Sequence, residues 1–281
     1  MSDVDQKYLP GIKSIEMELI SYLCEWDKFV FYGFAFLGII LVRYFLIAGG
    51  LHLFFYSAGG DFLSHRAVQL SPPSGNAIRR DIKLSICSAV IFALCAAAIM
   101  SGYDLGITRL YADIHTDGLW YLGVSYGLVL LLQDTYFYFI HRLFHHPKLF
   151  RWFHQGHHQS SHPTPWTSFA FDPPEAVIQS LFLIVIVFIL PLHFITVIAL
   201  LITMTVWAVV NHLGLELFSP AFPHHWLGRW FIGPAHHSIH HHRYQMHYGL
   251  YFTLWDRLLG TNDPIYEQNF VIEPRTTCHL K

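Results

Sequence analysis

Residues 119–145 read LWYLGVSYGLVLLLQDTYFYFIHRLFH, and this stretch decides the fold. From Leu119 to Ile140 it is almost continuously apolar or aromatic. At about 1.5 Å per residue, a helix there is long enough to cross a hydrocarbon core of about 30 Å. His141 and His145 follow directly. If the helix continues, they are i and i+4 on one face, and Pro147 ends it. Asp134 lies seven residues before His141, on the same face. A carboxylate there can accept the free ring N–H of a ligating histidine and fix its tautomer.

Four further apolar runs surround this one: Phe29 to about Ala48, Leu84–Met100, Ala176–Leu190 and Phe194–Val210. The last two are short and separated only by Pro191, Leu192 and His193, so two full spans and a tight hairpin both satisfy the pattern. Residues 1–28 read as a short, partly amphipathic surface segment without the basic start of a cleaved signal peptide. The chain is 53% hydrophobic and 13% charged, against a usual charged share near ~25%. The fold expected is all-α, an integral-membrane helical bundle of about four to five spans in a single domain over 1–281. The net charge of -2 gives no reason to expect nucleic acid as a partner. The four cysteines form no CxxC pair, which argues against a disulfide framework or a cysteine metal site.

Basic residues orient the bundle. Arg66, Arg79, Arg80 and Lys83 lie between the first two runs, and Arg142, Lys148 and Arg151 follow the third. Arg229, Arg243, Arg257, Arg275 and Lys281 lie in the C-terminal region. The loop between the second and third runs has Arg109 against Asp104, Asp113 and Asp117. The histidine-rich segments are therefore expected on the cytosolic side, as a cap on the bundle. A compact tail without an evident retrieval signal leans toward a bacterial inner membrane over an endoplasmic reticulum.

There are 21 histidines, most of them between His141 and His247. After His141-Arg-Leu-Phe-His145 comes His154-Gln-Gly-His157-His158, and almost eighty residues later His237-Ser-Ile-His240-His241. In a helix the spacing i, i+3, i+4 puts three imidazoles on one face. One HxxxH alone is a weak signal. Three boxes in this order, each at the edge of an apolar run, are a strong one, and eight spaced imidazoles are too many for one ion of ordinary coordination. The other reading, a solvated histidine surface, gives no reason for the repeated spacing. Imidazole suits iron, zinc and copper alike, and oxygen chemistry favours iron. His52, His65, His115, His193 and His279 lie away from the boxes and are not expected as ligands.

From Asp134 to Thr261 the sequence resembles the fatty acid hydroxylase / sterol desaturase superfamily of membrane di-iron proteins. The resemblance rests on the three boxes, on Asp134 upstream, and on Tyr248-Gly249-Leu250 with Trp255-Asp256-Arg257-Leu258-Leu259-Gly260-Thr261. It implies two iron ions in a histidine cage, with zinc as a substitute on overexpression, and a tunnel from the bilayer. The implied ligands are His141, His145, His154, His157, His158, His237, His240 and His241. His212, in Asn211-His212, looks like the family's additional histidine, and His236 joins the third box. Asp134, Asp256 and His247 are implied as supporting residues around the ligands. Two departures stand out. Asp172 takes the place of a histidine before Pro173, and His247 stands where asparagine is common.

The activity implied is oxygen-dependent hydroxylation or desaturation of a membrane lipid: an acyl chain, a sphingoid base or a sterol. An unactivated C–H bond has neither leaving group nor acidic proton, so the oxidising power must come from a cofactor and dioxygen. The sequence has no nucleotide-binding loop or cysteine cluster, so electrons are expected from a separate cytochrome or ferredoxin with its reductase. A carotenoid or sterol ring hydroxylase of the same architecture is the nearest alternative. A histidine-rich metal transporter is a rival from another class. It would set its ligands near the bilayer midplane, whereas these boxes lie past the ends of the apolar runs.

Overall fold

The computed structural model describes residues 5–58, 74–219, 222–263 and 266, with side chains from residue 25 onward except at positions 57, 58 and 223. The five apolar runs are five long helices. Helix α1 runs from Asp5 to Tyr44 and winds on through π and α turns to Ala58. It is followed by α2 (Gly75–Asp104), strand β1 (Leu110–Tyr111) and α3 (Leu119–Phe144). Short helices α4 (Pro147–Phe153) and α5 (Gln155–His158) precede a 3-10 turn at Pro165–Phe169. Then come α6 (Pro173–Ile189), β2 (Leu192–His193), α7 (Phe194–Asn211), α8 (Pro234–Arg243) and α9 (Leu254–Leu258).

Three stretches are long and apolar enough to cross a membrane: Glu25–Tyr56, Gly75–Asp104 and Phe194–Asn211. Helix α6 is shorter, at 17 residues, and α3 carries Gln133 and Asp134 in its interior. From residue 5 the segment expected at the surface is helix that runs on into the first span. His65, Arg66, Arg275, His279 and Lys281 lie outside the described residues.

Burial in the bundle is inverted relative to a soluble protein. Phe31, Phe34 and Leu46 of the α1 rod are exposed, as are Ile198 and Ile202 of α7. Small residues lie inside: Ser85, Ala89, Ala93 and Ala97, spaced four apart on α2, are buried. Such a stripe lets helices approach closely where lipid offers no hydrophobic drive for association. Cys95 Sγ meets Ser180 Oγ of α6 at 3.1 Å across that contact. Between α3, α6 and α7 an apolar core forms around Val129, Phe182, Ile186 and Leu200.

The bundle has two distinct ends. At one, β1 pairs in parallel with β2, Leu110 opposite Leu192 and Tyr111 opposite His193. Arg109 clamps the end of α6, its backbone N–H donating to Val187 O and its Nη1 to Ile189 O, both at 2.7 Å. His193, set aside as a ligand, holds this turn: Nδ1 accepts from Ile195 N and Nε2 donates to Ala112 O. Tyr32 of α1 donates to Asp104 Oδ2 at this end. At the other end, Tyr44 donates to Trp166 O and Tyr56 to Leu213 O. There α4, α5, α8 and α9 gather the histidine boxes.

Candidate metal centre

Nine histidines converge at this second end in two groups. His141, His145, His154, His158 and His240 form the first; His157, His212, His237 and His241 form the second. Within each group the nitrogens lie within 4.8 Å of one another. In the first, the Nε2 atoms of His141 and His154 are 3.0 Å apart, and His240 Nε2 is 3.1 Å from those of both His145 and His158. In the second, His212 and His237 face at 2.9 Å, His237 and His241 at 3.1 Å, and His157 and His212 at 3.4 Å.

Each box reaches these positions by its own local route. Helix α3 ends at Phe144 with His145 as its cap, so the first box does keep the i, i+4 face. His154, with φ -143°, separates α4 from α5 and caps α5, and His158 N bonds back to His154 O within that one turn. His154 and His158 then face the first group and His157 the second. The third box lies on α8 and splits in the opposite sense, with His237 and His241 in the second group and His240 in the first. In both HxxHH boxes the i and i+4 members stay together and the i+3 member goes to the other group.

The outer nitrogens fix the tautomers. Nδ1 of His141 donates to Tyr248 O at 2.9 Å, that of His240 to Met246 O at 2.7 Å, that of His157 to Ala170 O at 3.1 Å and that of His212 to Ala208 O at 2.6 Å. His154 Nδ1 instead meets a carboxylate, Glu175 Oε2, at 2.8 Å. With the proton outside, the inward Nε2 carries a lone pair. Two lone pairs facing at about 3 Å repel and cannot bond each other. A cation between them removes the conflict: with metal–nitrogen bonds of about 2.1 Å, adjacent ligands of an octahedron sit about 3.0 Å apart. The donor set therefore fits two metal ions.

Electrostatics keep the rings neutral. Burial, then the neighbouring imidazoles, lowers His145 to about 2. Burial lowers His212 to about 3, with His157 adding to the shift. Burial takes His157 to about 4, against its hydrogen bond to Ala170 O. His154, His158, His237, His240 and His241 are depressed for the same first cause. Neutral imidazole is the form that binds metal.

The other residues expected at the site stand further out. Asp134 meets no ring nitrogen. Its Oδ1 accepts the backbone N–H groups of Leu250, Tyr251 and Phe252 at 3.2, 2.7 and 3.1 Å. Asp256 accepts from Tyr248 N, Gly249 N and Thr261 Oγ1, and its burial raises the carboxyl to about 6. The two carboxylates thus hold a loop whose Tyr248 carbonyl orients His141. The expected direct bond from Asp134 to a ligand is replaced because three adjacent N–H groups on that loop take the carboxylate. His236 lies outside both groups, against His247 and Tyr266, and its Nδ1 accepts from Gly233 N. His247 sits at φ 57° with Nε2 accepting from Asp263 N at 3.3 Å.

Glu175 was not foreseen from the sequence. Its signal was the Asp172-Pro-Pro-Glu175 helix start: Asp172 and Pro173 set the first turn of α6, which aims Glu175 at His154. Asp172 accepts Gly156 N at 2.6 Å. A Cβ on Gly156 would fall 2.2 Å from Asp172 Oδ1, so a larger residue here would displace the Asp172 carboxylate from the second box.

The Fatty acid hydroxylase family model matches residues 126–261. A Delta(7)-sterol 5(6)-desaturase of Gibberella zeae is 31% identical over 207 residues, 71% of this chain and 62% of that protein. The lathosterol oxidase of Homo sapiens is 34% identical over 66% of this chain and 61% of its own length. A Delta(7)-sterol 5(6)-desaturase of Aspergillus fumigatus is 29% identical over 81% of this chain and 78% of that protein. The match thus spans less than two thirds of the Gibberella and human proteins. No solved structure matches the chain.

Proposed function

The chain belongs to the fatty acid hydroxylase / sterol desaturase superfamily, and from that premise we propose that it is an oxygen-dependent membrane lipid oxidoreductase with two iron ions at its nine converging histidines. The observation that carries the proposal is the pairing of inward Nε2 lone pairs about 3 Å apart in two adjacent groups. Two irons and dioxygen supply the oxidising power that protein side chains lack. His141, His145, His154, His158 and His240 would hold one ion, and His157, His212, His237 and His241 the other. His236, Asp134, His247 and Asp256 support the cage from outside it.

The substrate class we propose is a sterol or sterol-like ring lipid, desaturated at a ring bond. The activities named for these relatives, sterol 5(6)-desaturases and a lathosterol oxidase, support this over an acyl chain. The protein's part is to hold the carbon near the cage and keep water from it. The cage stands at one end of the spans, within reach of a ring that enters from the bilayer. The whole chain, 1–281, acts as one membrane domain with its histidine end cytosolic. A bacterial inner membrane draws no support from the relatives, which come from fungi and mammals.

The test is lipid analysis of cells lacking their own sterol desaturase, fed a Δ7-sterol, with and without this chain. A 5,7-diene that forms only in the presence of the chain and oxygen supports the reading. Unchanged sterols together with altered fatty acids would move the substrate to acyl lipids.

A further inference from the structure

The last turn of helix α7 carries two buried polar atoms that lack partners. Trp207 Nε1 and Asn211 Oδ1 have no hydrogen-bond partner among the described residues, and both atoms are shut off from solvent. Asn211 as a whole is 5% exposed. An indole N–H is a donor only, and an amide oxygen is an acceptor. Residues i and i+4 are neighbours on one helical face, so donor and acceptor stand side by side, one turn apart. Each such atom left unpaired in a buried site costs about 1–3 kcal/mol, and a hydrocarbon core has no water to relieve it. Two orphans of opposite kind on one face are both satisfied by a single guest group that donates and accepts.

The pair stands beside the histidine cage. Asn211 precedes His212, a candidate ligand of the second group, and Trp207 lies one turn deeper, about 6 Å along the axis. Phe231 and Tyr251 flank Trp207, each 6.0 Å away between ring centres. Tyr251 donates to Gln133 Oε1 of α3 at 2.8 Å. Gln133 Nε2 in turn meets Met204 Sδ of α7 at 2.9 Å, and a thioether is a weak acceptor. Trp207 is half-buried on a stretch of α7 that exposes Ile202 and Val206. Its indole therefore runs from the apolar outer face of α7 to the edge of the cage.

Among the oxygen groups that a sterol ring carries, a hydroxyl both donates and accepts, whereas a ketone or ester oxygen accepts only. In a Δ7-sterol a single ring carbon separates the hydroxyl-bearing carbon from carbon 5, an end of the bond to be desaturated. An anchor for the hydroxyl must then lie close to the oxidising centre, and Asn211 adjoins a ligand of it. We propose that Trp207 and Asn211 form the subsite for the ring hydroxyl, with the indole N–H donating to its oxygen and the amide oxygen accepting its hydrogen. The proposal rests on the sterol reading above. It makes the two residues determinants of specificity: they favour a free sterol over its ketone and take no part in the oxidation.

The test measures binding to the full chain in nanodiscs, loaded with zinc so that no turnover intervenes. The probes are a Δ7-sterol, its 3-ketone and its 3-deoxy analogue. For the wild type the alcohol should bind about tenfold tighter than the ketone. Asn211→Leu should weaken the alcohol alone and bring that ratio close to one. Trp207→Phe keeps an aromatic ring and removes the N–H. It should weaken alcohol and ketone alike, by about tenfold each, and leave the deoxy analogue unchanged. Zinc content is measured throughout, and if Asn211→Leu sheds zinc, the Trp207→Phe pattern decides alone. Equal affinity of the wild type for all three probes would mean that the pair holds water only, and overturns the proposal. So does a Trp207→Phe loss shared by the deoxy analogue, which is a loss of shape and not of a hydrogen bond. A wild type that binds none of the three overturns the sterol reading itself.

Discussion

The two histidine groups use the same ring chemistry on different supports. The second is built on helix ends and a turn: His212 caps α7 and bonds back to Ala208 O, and His157 bonds to Ala170 O. The first depends on distant parts of the chain. His141 and His240 lean on carbonyls of the 246–248 loop, which Asp134 and Asp256 hold, and His154 leans on Glu175. A metal held by local supports tolerates change elsewhere, whereas one held by a loop and a lone carboxylate inherits every weakness of both. Glu175 is fully buried, which pushes its carboxyl up, and it meets a ring nitrogen of the first group, whereas the described outer contacts of the second group are to backbone carbonyls.

The largest expected effect comes from removing a ligand. His240→Ala and His237→Ala should each abolish turnover, but metal analysis should find about one iron left per chain, where the parent holds two. If both variants lose both ions together, the groups are one cooperative site and the contrast between them fails. Acid should attack both groups alike. The folded-state histidines are held neutral, while unfolded ones titrate near 6.5. Below that value the unfolded chain binds more protons, so metal-free stability falls as pH falls, down to the folded values of about 4 and below. At about pH 5.5 each such residue costs about 1.4 kcal/mol. Thermal melting of metal-free protein should be flat above neutrality and decline below it.

Glu175→Gln should weaken iron binding about 10–100-fold at one site only, read as a two-phase loss of metal to a chelator. A single phase would show that Glu175 acts on both ions. Asp256→Ala leaves two buried N–H groups without an acceptor and should lower stability by about 2 kcal/mol, with the first group releasing its metal before the second. The smallest effect is expected at His236. His236→Ala should keep two irons per chain, and loss of either ion would bring His236 into the coordination.

The parts of the site legible in the sequence were those encoded by local spacing. The i, i+4 pairs His141/His145, His154/His158 and His237/His241 each stay within one group, because a single helical turn fixes them. The i+3 members, His157 and His240, cross to the other group, and nothing in the spacing of a box says what faces it across the fold. Asp134 was visible as a carboxylate on the histidine face of α3. Its actual partners, 116 to 118 residues away, were not. Glu175 escaped notice because its partner, 21 residues away, lies across a turn whose geometry depends on Asp172 meeting Gly156. The membrane helices followed from hydropathy alone, while the continuity of α1 before residue 29 did not, since a polar segment can be helix or coil until something packs on it.

The clamp of Arg109 on the end of α6 bears on which membrane suits the protein. Seventeen residues rise about 25 Å, and the β1–β2 ladder ties the helix end down so that it cannot lengthen. That length falls just short of an endoplasmic reticulum bilayer of about 27 Å and well short of a plasma membrane of about 32 Å. Helix α2, which packs on α6 through Cys95 and Ser180, and helix α1 beyond it have apolar length to spare. The hydrophobic belt is thus a wedge, thin beside α6 and thick beside α1. Lipids at the thin edge must compress or splay, which brings the two bilayer surfaces closer together beside α6. Bilayer thickness becomes a variable of the reaction: thick, ordered membranes should resist the dimple and keep the substrate further from the cage.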